Sequence, residues 1–153
     1  MIVIATILEG PLDAAAESRA LQPHAQAMTA LDRSATCGAE VRFEGVVRRA
    51  EAAEGTSRDL AALDYETYEP MASRMLADLA AAIAREHGLA SIVALHSRGH
   101  VAVGQVSFVL RVRAPHRAEA LAGVAAFIDR LKREVPIWKR PVWADESREQ
   151  QLR

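Results

Sequence analysis

Lysine is almost absent from this chain. Of its 153 residues nineteen are lysine or arginine, and only Lys132 and Lys139 are lysine. Arginine therefore supplies nearly every positive charge that solubility or a surface ion pair requires. A guanidinium cannot release its proton near neutral pH, attack a carbonyl or return a proton in turnover, whereas a desolvated lysine amine can. The two lysines are the first candidates for reacting groups, against the alternative that two survivors fell by chance in one surface helix and loop. Cysteine is scarcer still. Cys37 stands alone, which excludes an internal disulfide and agrees with a reducing compartment. Placed just before a strand pattern, it reads as a small structural residue and not as a sulfur carrier.

Other absences narrow the class. The opening Met-Ile-Val-Ile-Ala-Thr-Ile-Leu has no basic leader and stops at Glu9-Gly10-Pro11. It reads as a strand, neither signal peptide nor membrane span, and the expected location is the cytoplasm. No excess of one charge is present: the net charge of −1 excludes a general polyanion binder, so no nucleic-acid partner is expected. There is no glycine-rich phosphate loop, no Gly-x-Ser-x-Gly elbow and no dinucleotide fingerprint. His24, His87, His96 and His100 show no metal-ligand spacing with Cys37 or a carboxylate pair, so neither a metal nor a cofactor is expected. Half the residues are apolar and a quarter charged, a soluble globular composition. No repeat or linker divides the chain. The expectation is one domain over 1–153, with a short polar tail from about residue 144.

Periodicity gives an outline. After the first strand, residues 11–36 are alanine-rich, with one short helix expected around His24–Arg33. In Glu40–Val47, residues Val41, Phe43, Gly45 and Val47 alternate with Arg42, Glu44 and Val46, the pattern of a half-buried strand. Arg48–Arg58 reads as an exposed loop before a strand at Leu60–Thr67. Pro70 suits the first turn of a helix striped by Met71, Met75, Leu79, Ala82 and Ile83 and ended by His87-Gly88. Strands follow at Ser91–His96 and Gln105–Arg113. A last helix, Arg117–Glu134, is striped by Leu121, Val124, Phe127, Ile128 and Leu131 and closed by Pro136. The order β, β, β, α, β, β, α predicts an α+β fold, a largely antiparallel sheet with packed helices.

Three clusters could carry chemistry. Pro115-His116-Arg117 opens the last helix, where unpaired N–H groups and the dipole favour a phosphate; a packed cap with a solvated arginine is the bland alternative. Arg48-Arg49 leaves the Phe43–Val47 strand. Lys132 sits at the border of the apolar stripe, where partial desolvation would pull its pKa down. Lys139 follows Pro-Ile-Trp, and the indole could shield it and shape a pocket for a flat ring. Snorkelling of both lysine stems is the alternative.

Five blocks in order, Phe43-Glu-Gly-Val-Val-Arg48, Leu63-Asp-Tyr-Glu-Thr-Tyr-Glu-Pro-Met71-Ala72, His96-Ser-Arg-Gly99, Pro115-His116-Arg117 and Phe127 to Lys139, resemble the large, catalytic subunit family of molybdopterin synthase (the MoaE family) over roughly residues 38–140. The resemblance implies the α/β hammerhead variant of the α+β class. It implies conversion of cyclic pyranopterin monophosphate to molybdopterin, with two dithiolene sulfurs brought by the thiocarboxylated Gly-Gly terminus of a small ubiquitin-like subunit. It also implies a homodimer within a heterotetramer. By motif, Lys132 and Lys139 would be catalytic, and Val46, Val47, Arg48, His116, Arg117, Arg140 and Pro141 would contact substrate. The chain departs from the family pattern in three places. His-Arg-x-Gly becomes His96-Ser97-Arg98-Gly99, which predicts Arg98 on the other strand face. Pro141 replaces a common acidic residue ahead of a shortened loop, and the Arg48–Arg58 stretch lacks the usual asparagine or histidine. Arg117 and Lys132 lie fifteen residues apart, about 22 Å along an unbroken helix. The expectation is either a broken helix or a pocket shared between two subunits. The competing class is a noncatalytic module binding a phosphorylated small molecule or nucleotide.

Overall fold

The computed structural model describes residues 1–53 and 56–145. Among them are seven strands and four α-helices, in the order β1 (Ile2–Glu9), α1 (Ala14–Leu21), α2 (Ala25–Ser34), β2 (Ala39–Val46), β3 (Ala50–Ala53), β4 (Thr56–Thr67), α3 (Met71–Glu86), β5 (Ser91–Ala102), β6 (Val106–Ala114), α4 (Arg117–Glu134) and β7 (Ile137–Trp143). The sheet runs β2-β6-β5-β4-β3, with β1 added to β5 and β7 to β4. All ladders are antiparallel except β1 with β5. This is the α+β architecture expected.

Strand β5 organises the sheet. Its first half is held between β1, from Ile2↔Ser91 to Glu9↔Arg98, and β6, from Ser91↔Arg113 to His96↔Phe108. Its second half pairs with β4, from Tyr65↔Gly99 to Ala62↔Ala102. The change of partner falls at Gly99, whose φ of +76° lies in the left-handed region, and a Cβ there would run into the Glu9 carboxylate. Strand β4 carries β7 on its other side, from Thr67↔Ile137 to Leu60↔Trp143.

Helices α3 and α4 cover one face of the sheet. Leu76, Leu79 and Ile83 from α3 and Val124 and Phe127 from α4 pack on Ile92, Ala94, Leu110 and Val112. Gly123 lets α4 approach closely, since a Cβ there would stand 3.1 Å from a Leu89 methyl. On the opposite face Ile4, Leu12, Val93, Leu95 and Val109 form a smaller core, joined by Leu21 and Met28. Asp13 caps α1, its Oδ1 accepting the Ala16 N–H at 2.7 Å. Arginines then tie the first two helices to the sheet: Glu17 of α1 accepts from Arg42 at 2.8 Å and Arg111 at 3.4 Å, and Asp32 of α2 pairs with Arg113.

Several expectations need correction. The Arg48–Arg58 stretch is no simple loop, because β3 pairs back on the start of β4. Helix α1 and strand β7 were not foreseen, and β5 continues past His96 to Ala102. The core stripe of α3 runs through Ala72, Leu76, Leu79, Ala80, Ile83 and Ala84, leaving Met71 43 % exposed. In α4, Leu121 is 56 % exposed while Ala120, Gly123, Val124 and Phe127 are buried. Alanine is compatible with either face, so in alanine-rich helices the larger residues mark the stripe to within one position only. Beyond Asp145 the expected polar tail lies outside the described residues.

Gly99→Ala should cost about 1–2 kcal/mol in urea unfolding because an L-residue is forced left-handed. Most of that loss is backbone, so adding Glu9→Ala should recover only a minor part. A neutral Gly99→Ala would show that β5 does not depend on this bend.

Candidate functional site

A cavity of about 390 Å³ opens between the sheet and the C-terminal half of α4. Helix α4 supplies Ile128, Leu131 and Lys132, with Val135 just beyond it. Ile128, Lys132 and Val135 recur at spacings of four and three, so one helix face presents two apolar walls and an amine. Strand β7 contributes Ile137 and Lys139, and Lys139 stands directly opposite Tyr65 of β4 in the ladder. The exit of β2 contributes Val46, Val47 and Arg48. Thus Lys132, Lys139, Arg48, Val46 and Val47 line one space. Both lysines are exposed at its margin, and neither ammonium pairs with a carboxylate among the described residues. Arg42, Arg58, Arg98, Arg111, Arg113, Arg130 and Arg140, by contrast, all do.

Aromatic rings form the rest of the wall. Tyr65 meets His96 edge to face at 5.2 Å, His96 meets Phe108 at 5.6 Å, and Phe108 touches Phe43 at 6.2 Å. Phe108 also stacks on Phe127 of the core at 6.0 Å, which anchors the series in packed protein. The β2–β6 register skips Ser107, since Gly45 faces Phe108 and Val46 faces Val106. That bulge accompanies a relay in which the Tyr65 hydroxyl donates to Ser107 Oγ at 2.8 Å and Ser107 donates to the Gly45 carbonyl at 3.3 Å.

His96 opens one of the family blocks but was given no site role in the sequence, although its parity with Ile92 and Ala94 marks it as inward-facing. It is only 7 % exposed, and its Nδ1 lies 2.8 Å from the Ser97 carbonyl, so Nδ1 carries the proton and donates. Burial pushes its pKa down to about 4; the Ser97 hydrogen bond opposes this and the nearby Lys139 charge reinforces it.

The remaining candidates lie elsewhere on the single chain. His116 and Arg117 are exposed at the N-terminus of α4, which is continuous to Glu134, so neither lines the cavity. Arg140 pairs with Glu66, and Pro141 faces Leu63 across the ladder; neither lines the cavity. Trp138 points the other way from Lys139 and is 56 % exposed, so the expected indole shield is absent and phenylalanine, tyrosine and histidine rings form the wall instead. Ser97 is buried while Arg98 is exposed and pairs with Glu9 at 2.8 Å, as the shifted motif predicted. Cys37 lines a different, small cleft beside Arg113. Among the described residues no group of His, Cys, Asp or Glu could hold a metal ion.

The depressed pKa of His96 has a consequence for stability. The unfolded chain protonates this residue below about pH 6.5 and the folded one only near 4, so stability is full above 6.5 and falls as the pH drops between the two. The loss amounts to about 3 kcal/mol at pH 4. His96→Gln should remove that part of the slope in unfolding free energies measured from pH 7 to 4; identical slopes in the two proteins would contradict the assignment.

A family model described as MoaE protein matches residues 17–134. The molybdopterin synthase catalytic subunit of Nostoc sp. is 38% identical over 111 residues, covering 72% of this chain and 65% of that protein. That of Bacillus subtilis is 39% identical over 108 residues, covering 71% and 66%. The chain thus spans just under two thirds of the length of these relatives. A solved structure of molybdopterin synthase from Staphylococcus aureus shares the fold with a TM-score of 0.69 at 27% identity, 92% of each chain being covered. With most of its length matched by the family model, the chain belongs to the MoaE protein family.

Proposed function

We propose that this protein is the catalytic subunit of a molybdopterin synthase, acting in the cytoplasm. It converts cyclic pyranopterin monophosphate to molybdopterin by installing two dithiolene sulfurs. The observation that carries this reading is the convergence of the only two lysines with Arg48 on one aromatic-walled cavity. The names of the similar proteins from Nostoc sp. and Bacillus subtilis support it.

The chemistry suits the groups present. Each sulfur replaces an oxygen substituent, so a negative charge develops on oxygen and the departing oxygen needs a proton. A lysine ammonium stabilises the first and supplies the second. Lys132 is the central catalytic amine and Lys139 the second. Arg48 is a cation for the phosphate, with Val46 and Val47 shaping the adjoining wall. The sulfur donor is the thiocarboxylated Gly-Gly tail of a small ubiquitin-like subunit, consistent with Cys37 standing away from the cavity.

His116 and Arg117 enter through the partner in a homodimer. With α4 unbroken, about 22 Å separates Arg117 from Lys132 along one helix, too far for both to reach one small pterin phosphate. A second copy of the chain therefore brings the phosphate-binding helix end to the lysines of the first, and two small subunits complete a heterotetramer.

Lys132→Arg keeps the charge but removes a titratable amine, and should lower conversion by at least about 100-fold when purified protein is assayed with thiocarboxylated partner and pterin precursor. Full activity in Lys132→Arg would favour a module that only binds a phosphorylated ligand. Mixing inactive Lys132→Ala with inactive Arg117→Ala protein should restore part of the activity through hybrid dimers. No recovery after demonstrated subunit exchange would rule out a shared pocket.

A further inference from the structure

We propose that His96 Nε2 is the acceptor for a ring N–H or hydroxyl of the bound pterin phosphate, which makes His96 a specificity-determining residue of the cavity. The inference rests on the substrate class proposed above and adds a contact to it.

The ring is held on three sides. Its Nδ1–H is committed to the Ser97 carbonyl at 2.8 Å, and Tyr65 and Phe108 pack against it at 5.2 and 5.6 Å. The tautomer is thereby set: the lone pair resides on Nε2. Nε2 has no hydrogen-bond partner among the described residues, yet it is not among the occluded polar atoms, so in a side chain that lines the cavity it opens into that space. Burial, reinforced by the nearby Lys139 charge, keeps the imidazole neutral at physiological pH, so it does not turn into a second donor there.

The surrounding chemistry makes this lone pair distinctive. Arg48 and the ammonium forms of Lys132 and Lys139 are donors only. The hydroxyl protons of Tyr65 and Ser107 are engaged, one with the other and then with the Gly45 carbonyl. Among the described side chains lining the cavity, His96 alone presents an unengaged nitrogen lone pair. An anion made only of acceptors satisfies the cations and leaves Nε2 facing an unsuitable group in a desolvated space, at a cost. A flat heterocycle carrying both a phosphate and N–H groups satisfies both kinds of site at once. The phosphate sits at the cations, the ring lies along Phe43 and Phe108, and an N–H reaches His96.

The test compares two ligands and two variants of the full-length chain. His96→Phe keeps the ring packing and deletes the acceptor; His96→Gln keeps an acceptor oxygen at similar reach. By titration calorimetry, His96→Phe should bind cyclic pyranopterin monophosphate about tenfold more weakly than wild type, with inorganic phosphate affinity unchanged. His96→Gln should recover most of the pterin affinity, and in the full assay His96→Phe should raise KM with little change in kcat. Wild-type pterin affinity in a folded His96→Phe protein overturns the inference, as does equal weakening toward phosphate or a Gln variant no better than Phe. In each of those cases a wild-type protein that still converts the precursor leaves the proposed function standing. A wild-type protein that neither binds nor converts it removes both.

Discussion

One strand that changes partners governs where everything else can stand. In its first half β5 is a central strand between β1 and β6, and in its second half it is the neighbour of β4. Gly99, whose φ of +76° is left-handed and which leaves room for the Glu9 carboxylate, stands at that change of partner. Beyond it β4 and its partner β7 lie alongside the end of α4, and the cavity opens between them. His96, three residues before Gly99, and Lys139, opposite Tyr65 on β7, both line that cavity.

The division of labour between the two basic residue types follows from the same arrangement. Arginines hold carboxylates in fixed geometry, fastening α1 and α2 to the outer face of β2 and β6 and bracing α3 against α4 through Glu86, Arg130 and Glu134. A planar fork suits that task, although each exposed pair adds little stability. Among the described residues the two amines have no such carboxylate partner, and they stand at the margin of the cavity. Aromatic residues are few in the chain, and all three phenylalanines belong to one series of contacts from the core at Phe127 to the cavity at Phe43. Scarce residue types of two kinds are thus concentrated at one place.

Much of this was legible before the structure. Alternation located β2 and β6, the 3.6-residue period located α3 and α4, and the scarcity of lysine pointed to Lys132 and Lys139. What escaped had physical reasons. Strand β7 carries Pro141, which lacks an N–H and argues against a strand; it is tolerated because among the described residues β7 pairs with β4 alone and so lies at an edge. Helix α1 is an alanine-rich segment whose only strong local signal is the Asp13 cap. Trp138 looked like the companion of Lys139 because they are adjacent in sequence, but adjacent residues in a strand point to opposite faces. His96 escaped because a lone histidine in an apolar strand is most often a satisfied core residue, and its open nitrogen is visible only once the rings around it are in place. The separation of His116 and Arg117 from Lys132 was foreseen from helix length, and the continuous α4 removes the broken-helix alternative.

The central claim is that two amines and an aromatic-walled cavity form one ligand site. Because the chain has only two lysines, protein labelled with ¹³C at lysine Cε gives two signals, assignable by single substitution. Saturating cyclic pyranopterin monophosphate should move both, since each amine borders the same cavity. Two stationary signals at demonstrated saturation would contradict the account.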